Sequence, residues 1–262
     1  FAVDQGDTTS TPAFNSGFVT DFNFYRNVSS TSDFFTSSRL TGNKYLATNS
    51  TAAESSSSSF TWDHMDGFRE GTLGTSFYSW MWKRAPSYFD VVVYHKDANG
   101  GTNPENYYLR LDTTAAESDF STPWNDTAPT ATQFFTGNLN GTGASSDTHI
   151  AYLFASLDGV SKVGSYTGND ADQTIDCGFS NGARFILIKR TDATGDWYLL
   201  DAERGLTTGS DPWLELNNTD AETTGNMINV RSSGFGVSSG AGTNGNSTIN
   251  INNATYIFYA IA

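Results

Sequence analysis

One pattern occurs three times in this chain: a polar residue, any residue, an aromatic, Leu and, a few residues on, Ala-Glu. The copies are NKYLATNSTAAE (43–54), NYYLRLDTTAAE (106–117) and DPWLELNNTDAE (211–222). Each is followed by an aromatic strand: SFYSWMWK (76–83), THIAYLFA (148–155) and TYIFYAIA (255–262). Repetition on this scale means one supersecondary unit used over and over. It also disciplines functional claims. A residue present in every copy builds the unit, because a single active site is not needed three times.

Further parts of the unit recur. An apolar strand precedes each motif: GFVTDFNFYRN (17–27), SYFDVVVYHKD (87–97) and ARFILIKRTD (183–192). Dense Val, Ile, Phe and Tyr mark these as sheet, and the unbroken apolarity of FILI implies burial on both faces. A Phe-centred element follows the motif in DGF (66–68), TQFF (132–135) and SGFGV (233–237). The third copy also contains KVGSYTGND (162–170) and QTIDCGF (173–179), which read as a hairpin around a Gly-Asn-Asp turn. In the second copy VVVY runs straight into HKDANGG, so either this copy is shortened or residues are missing between Tyr94 and His95, the second being slightly favoured. Boundaries after the aromatic strands give three units: 1–83 with an N-terminal extension, 84–158 in shortened form, and 159–262 as the fullest copy. SSSSS (55–59) and SSGAGTNGNST (238–248) have loop composition. The expected fold is all-β: tandem antiparallel β-sandwich units of lectin-like or jelly-roll-like kind.

Composition narrows the partners. The net charge of −14 and pI near 4.3 argue against nucleic acid, which demands basic patches, and against anionic membrane surfaces. No apolar stretch approaches the length of a membrane-spanning helix, so no membrane insertion is expected. With a single cysteine, Cys177, an internal disulfide is excluded. The chain begins at Phe1 without a Met, as expected of a fragment or a processed product.

Candidate chemistry is sparse. Glu54, Glu117 and Glu222 stand at one motif position, either as metal or sugar ligands or as strand-end carboxylates holding amides or an arginine. Their presence in every copy favours the structural role. Arg39 and Arg204 precede the motif at similar places, so an Arg–Glu pair is expected in the first and third copies. Acidic pairs of the kind that cleave glycosides are offered by Asp196 with Asp201 and Glu203, or by Asp170 with Asp172. The histidines, His64, His95 and His149, lack zinc-ligand spacing, and neither a nucleophile elbow nor a phosphate-binding loop occurs. GNDADQT (168–174) clusters oxygens without matching an EF-hand loop, so no cofactor is expected and Ca2+ is the one ion weighed. Trp124, Trp197 and Trp213 lie beside polar loops, where they either stack on sugars or close the ends of the core.

SLDGVSKVGSYTGND, QTIDCGFSNGARFILIKRTDATGDWYLLDAERGL, DPWLELNNTDAE, SGFGV and the terminal ATYIFYAIA resemble a repeat widespread in structural proteins of marine tailed phages. The resemblance covers 160–262 and 148–157, and extends to the first copy through NSGFVTDFNFYRN, KYLATNSTAAE and the Trp80–Trp82 strand. The second copy departs from it in its first half. What the resemblance implies is concanavalin-type or laminin-G-like β-sandwiches in tail fibres and other virion appendages, on the surface of an extracellular particle. It implies no catalytic residues. The expectation is therefore a non-enzymatic, oligomeric virion protein that attaches to the host surface. Its partners would be other virion proteins, copies of itself and host-surface glycans. The rivals are a capsid- or tail-decorating protein without a ligand, and a tail-associated polysaccharide depolymerase.

Overall fold

A computed structural model of the chain describes residues 1–84, 106–130, 133–138, 142, 149–207, 209–239 and 249–262. They form an all-β structure of antiparallel sheets with a short 3₁₀ turn at Thr122–Trp124. The first part contributes β1 (Ala2–Gln5), β2 (Phe14–Asn15), β3 (Phe22–Asn27), β4 (Phe35–Ser38), β5 (Lys44–Ala47), β6 (Ser55–Ser56), β7 (Gly67–Phe68) and β8 (Phe77–Trp82). The middle supplies β9 (Tyr107–Tyr108) and β10 (Ser118–Asp119). The last part adds β11 (Ser161–Thr167), β12 (Gln173–Asp176), β13 (Phe185–Arg190), β14 (Trp197–Asp201), β15 (Asp211–Glu215), β16 (Thr223–Gly225), β17 (Ile228–Arg231), β18 (Gly234–Val237) and β19 (Thr255–Ile261).

Two six-stranded sheets dominate. The first has the order β1-β8-β3-β4-β5-β6 and the second β11-β19-β13-β14-β15-β16. Taken along the chain, these are the same order. Registers agree too: Phe22 lies opposite Trp82 and Ser38, and Phe185 lies opposite Ile261 and Asp201. In all three motif segments the aromatic pairs with the residue just after the Glu: Tyr45 with Ser55, Tyr108 with Ser118, and Trp213 with Thr223.

Side-chain alternation gives each sheet two buried faces. On β13, Ile186 and Ile188 join Tyr198, Leu200, Tyr256 and Phe258 in one core, covered by the small sheet β12-β18-β17 through Ile175, Phe235 and Val237. The first sheet buries Tyr25 and Met81 against Phe14 and Phe68 of the β2-β7 pair in the same manner. The opposite faces of both large sheets meet in a central cluster containing Phe22, Phe24, Trp80 and Trp82 from the first and Phe185, Leu199, Tyr259 and Ile261 from the second. Tyr152 and Phe154 of the middle segment pack against that cluster. Phe22 is 4.3 Å from Tyr152, and Phe154 is 4.9 Å from Tyr259, between ring centroids.

Two expectations need correction. KVGSYTGND and QTIDCGF do not form a hairpin: β11 pairs with β19 and β12 with β18, in different sheets. The intervening turn crosses the core, because Tyr166 and Ile175 both point into it, and Asn250 ties the turn down through Asn169 and Asp170. The N-terminal extension is also more than an extension. β1 flanks β8 as β11 flanks β19, and β2 pairs with β7 as β12 pairs with β18. The strand expected at 87–97, the join between Tyr94 and His95, and His95 itself lie outside the described residues.

Gly-Phe in the Phe-centred element has a packing cause. A Cβ on Gly67 would lie 2.0 Å from the Phe14 carbonyl oxygen, and one on Gly234 would lie 2.2 Å from that of Ile175. Only glycine lets these strands approach so closely. Gly67→Ala and Gly234→Ala should each lower stability by about 2 kcal/mol or more, read from chemical denaturation midpoints, since the obstructing atoms are backbone.

Candidate functional site

The motif Glu residues meet different surroundings. In the third segment, β14 ends at Asp201 and a turn brings Arg204 back over it. Arg204 donates from Nε to Asp201 Oδ2 (2.6 Å), from Nη1 to Glu222 Oε2 (2.7 Å) and from Nη2 to the Leu199 carbonyl (3.2 Å). Trp80 of the first sheet donates its indole N–H to the same Asp201 Oδ2 (2.9 Å), and the guanidinium lies 5.2 Å from the Trp80 ring. The Asp201 and Arg204 side chains are 0% and 2% exposed. A charge pair this buried is held by satisfying every donor, and losing one partner strands the other.

The corresponding pair is not formed in the first segment. Arg39 follows β4 directly and reaches Asp21 (3.4 Å) and the Thr20 carbonyl (2.9 Å). Glu54 instead takes Lys44 at 2.9 Å on an exposed face. Glu117 uses its backbone N–H to hold the Thr191 carbonyl (2.9 Å). Three residues at one motif position thus have three settings: Glu222 pairs with a buried arginine, Glu54 with an exposed lysine, and Glu117 is held through its backbone.

The tryptophans separate in a similar way. Trp197 and Trp213 are 8% and 5% exposed, and Trp197 donates its N–H to the Arg110 carbonyl (3.0 Å). Core side chains cover most of both rings: Trp197 closes the core, and Trp213 does so while also lining a cavity. Trp124 is half-buried and bonds the Tyr107 carbonyl (3.0 Å).

What remains open is an acid-lined cavity of about 340 Å³, walled by Asp196, Trp213, Glu215, Asn218, Asp220 and Thr223. β15 and β16 supply its floor, with Asp196 just before β14 and the 218–221 loop completing the wall. Asn217 Nδ2 donates to Asp196 Oδ1 (2.7 Å), and Asn218 Nδ2 donates to Glu215 Oε2. Burial, and next the charge of Asp196, raises the Glu215 carboxyl above its ordinary pKa. Burial together with the charges of Asp196 and Glu215 pushes the Tyr198 phenol upward as well. The cavity is therefore an acceptor-rich, negative site, suited to hydroxyl or cationic groups. Glu215 escaped sequence reasoning because it occupies a variable motif position, filled by Ala47 and Arg110 in the other segments.

The remaining acid pairs go elsewhere. Asp201 is spent on Arg204, Glu203 is exposed, and Asp172 accepts the Ser239 N–H (2.7 Å). Among the described residues no group of three His, Cys, Asp or Glu side chains is placed to hold a metal ion. His64 lies 3.5 Å from Glu70, and His149 is exposed. Burial pushes the Cys177 thiol up to about 12.

A sequence profile for a domain of unknown function (DUF7483) matches residues 72–262, most of the chain. The chain belongs to this family. No curated protein and no solved structure matches it. The DUF7483 match takes in β8, the second and third motifs, the Arg204 network and the cavity.

Two outcomes follow from this chemistry. Arg204→Met should cost about 3–5 kcal/mol in denaturation, because Asp201 is left charged and buried. For Glu215, a raised folded-state pKa means the native state holds the proton more tightly than the unfolded chain. Its unfavourable contribution is therefore present above the raised pKa and disappears as pH falls below the unfolded value. Glu215→Gln should gain stability relative to the parent at pH 7 and lose that advantage at pH 3, measured by urea denaturation at both.

Proposed function

We propose that the chain is a structural segment of a phage virion, of tail-fibre or appendage type. It is built from three copies of one antiparallel β-sandwich unit and presents lectin-like surfaces to the host. The observation that carries this reading is where the repeated chemistry goes. Glu222 and Arg204 sit in a buried network with Trp80, Glu117 holds a neighbouring strand, and Glu54 pairs with Lys44. A motif Glu taken up by an arginine beside a seam, or by a lysine of its own segment, is that of a scaffold. The shared strand order of the two large sheets and the common motif pairings support one unit used repeatedly. The phage assignment draws on the resemblance of the repeat, and the net charge of −14 suits an extracellular surface. The cavity beside Glu215 gives such a surface a place to accept hydrogen bonds from sugar hydroxyls. Antibodies raised against the purified chain should label fibres or appendages of intact particles in electron microscopy. The chain itself should compete with particles for host adsorption. Labelling confined to the shell would make it a decorating protein, and no labelling would end the virion reading.

One observation favours a second reading, a tail-associated depolymerase: Asp196 and Glu215 line the same cavity. Release of reducing ends from host capsular polysaccharide, abolished in Asp196→Asn and Glu215→Gln, is its expected outcome. A parent chain that releases none rejects it.

A further inference from the structure

The repeated motif is itself an interaction site, and its partner is the neighbouring copy. The turn after β3 grips the motif loop of the third segment. Ser32 N–H donates to the Thr219 carbonyl (2.9 Å), and Arg26 Nη2 donates to the carbonyls of Thr219 (3.1 Å) and Asp220 (2.7 Å). In return the Glu222 N–H donates to the Val28 carbonyl (2.8 Å). The turn after β13 grips the motif loop of the second segment. Gly195 N–H donates to the Thr114 carbonyl (2.9 Å), Lys189 Nζ donates to the same carbonyl (3.2 Å), and Glu117 N–H donates to the Thr191 carbonyl (2.9 Å).

These two sets of contacts are the same set. Register decides the correspondence: Phe22 opposite Trp82 and Phe185 opposite Ile261 match Arg26 with Lys189 and Val28 with Thr191. Ser38 and Asp201, opposite those same phenylalanines, match Ser32 with Gly195. Thr114 and Thr219 stand at one distance before the motif Glu. Both cations are fully buried, which a strand-borne Arg or Lys tolerates only when its charge meets fixed acceptors. The contact is heterologous, since the gripping surface and the gripped loop are different parts of the unit.

A heterologous contact repeated by rotation either closes into a ring or runs on as a filament. Here the first segment grips the third and the third grips the second. The second then returns to the first: Phe22 lies 4.3 Å from Tyr152 and 6.1 Å from Phe154, between ring centroids. That ring contact repeats Phe185 against Trp82 at 5.6 Å. We infer that the three units close one ring about an approximate three-fold axis through the central aromatic cluster, with the Ala-Glu loops of the second and third units the sockets for a neighbour's first strand. The corresponding loop of the first segment, 51–54, is exposed. This rests on the reading of three copies of one unit, not on the virion role.

The test uses the full chain and is directional. By hydrogen exchange with mass spectrometry, Arg26→Met should speed exchange in 217–223 by about tenfold and leave 112–119 unchanged, while Lys189→Met does the reverse. Both variants loosening both loops, or neither loop, overturns the inference. Should either variant fail to fold, the parent chain decides. The amides of Ser32, Gly195, Glu117 and Glu222 should all be protected, and small-angle scattering should give a radius of gyration of about 18 Å, that of a compact chain this long. Fast exchange at these amides, or the larger radius of units strung in a line, rejects the ring. Failure to label particles would sink the virion role and leave the ring untouched.

Discussion

Everything in this molecule is arranged around a patch of aromatic surface that neither large sheet can cover alone. Phe22, Phe24, Trp80 and Trp82 project from one sheet, Phe185 and Tyr259 from the other, and Tyr152 and Phe154 from the middle segment. Each ring carries a large apolar area, so exposing that face to water would cost more than any hydrogen bond in the chain returns. Bringing the segments together around it is what makes the shared core.

That apolar centre explains the placement of the buried charges. Arg26 and Lys189 reach across the seams around the cluster to carbonyls of another segment, and Arg204 ties Asp201 and Glu222 together while its guanidinium faces Trp80 across a seam. Apolar burial has no direction, so it would allow the sheets to slide over one another. Hydrogen bonds from a guanidinium or ammonium to fixed acceptors are directional, and they select one alignment. Trp80 belongs to both systems: its ring packs in the cluster while its N–H fixes Asp201.

The outer surface has different physics. The cavity beside Asp196 gathers acidic groups, and burial there makes ionisation of Glu215 less favourable. The pocket floor continues into the loop at 217–223, whose far side is held by Arg26, Ser32 and Val28. Recognition at the cavity and alignment of the sheets therefore share one stretch of backbone.

Much of the sheet was legible from the residues alone. The aromatic of each motif lies in a strand of matching register, FILI is buried on both faces, and Arg204 meets Glu222. These are local matters of alternation, spacing and charge sign, which a linear sequence carries directly. What it did not reveal depends on partners far along the chain. β11 and β12 look like a hairpin until β19 and β18 compete for their edges, and Ala2–Gln5 looks idle until β8 needs a neighbour. Trp197 sits beside a polar loop in sequence, yet its ring is buried and its N–H bonds the carbonyl of Arg110, far along the chain. Sequence by itself determined an all-β chain with a thrice-used motif, because side-chain alternation is written residue by residue. Only the tertiary structure decided which faces meet, which carboxylates are spent on arginine and which line a cavity, because burial belongs to the assembled sheets.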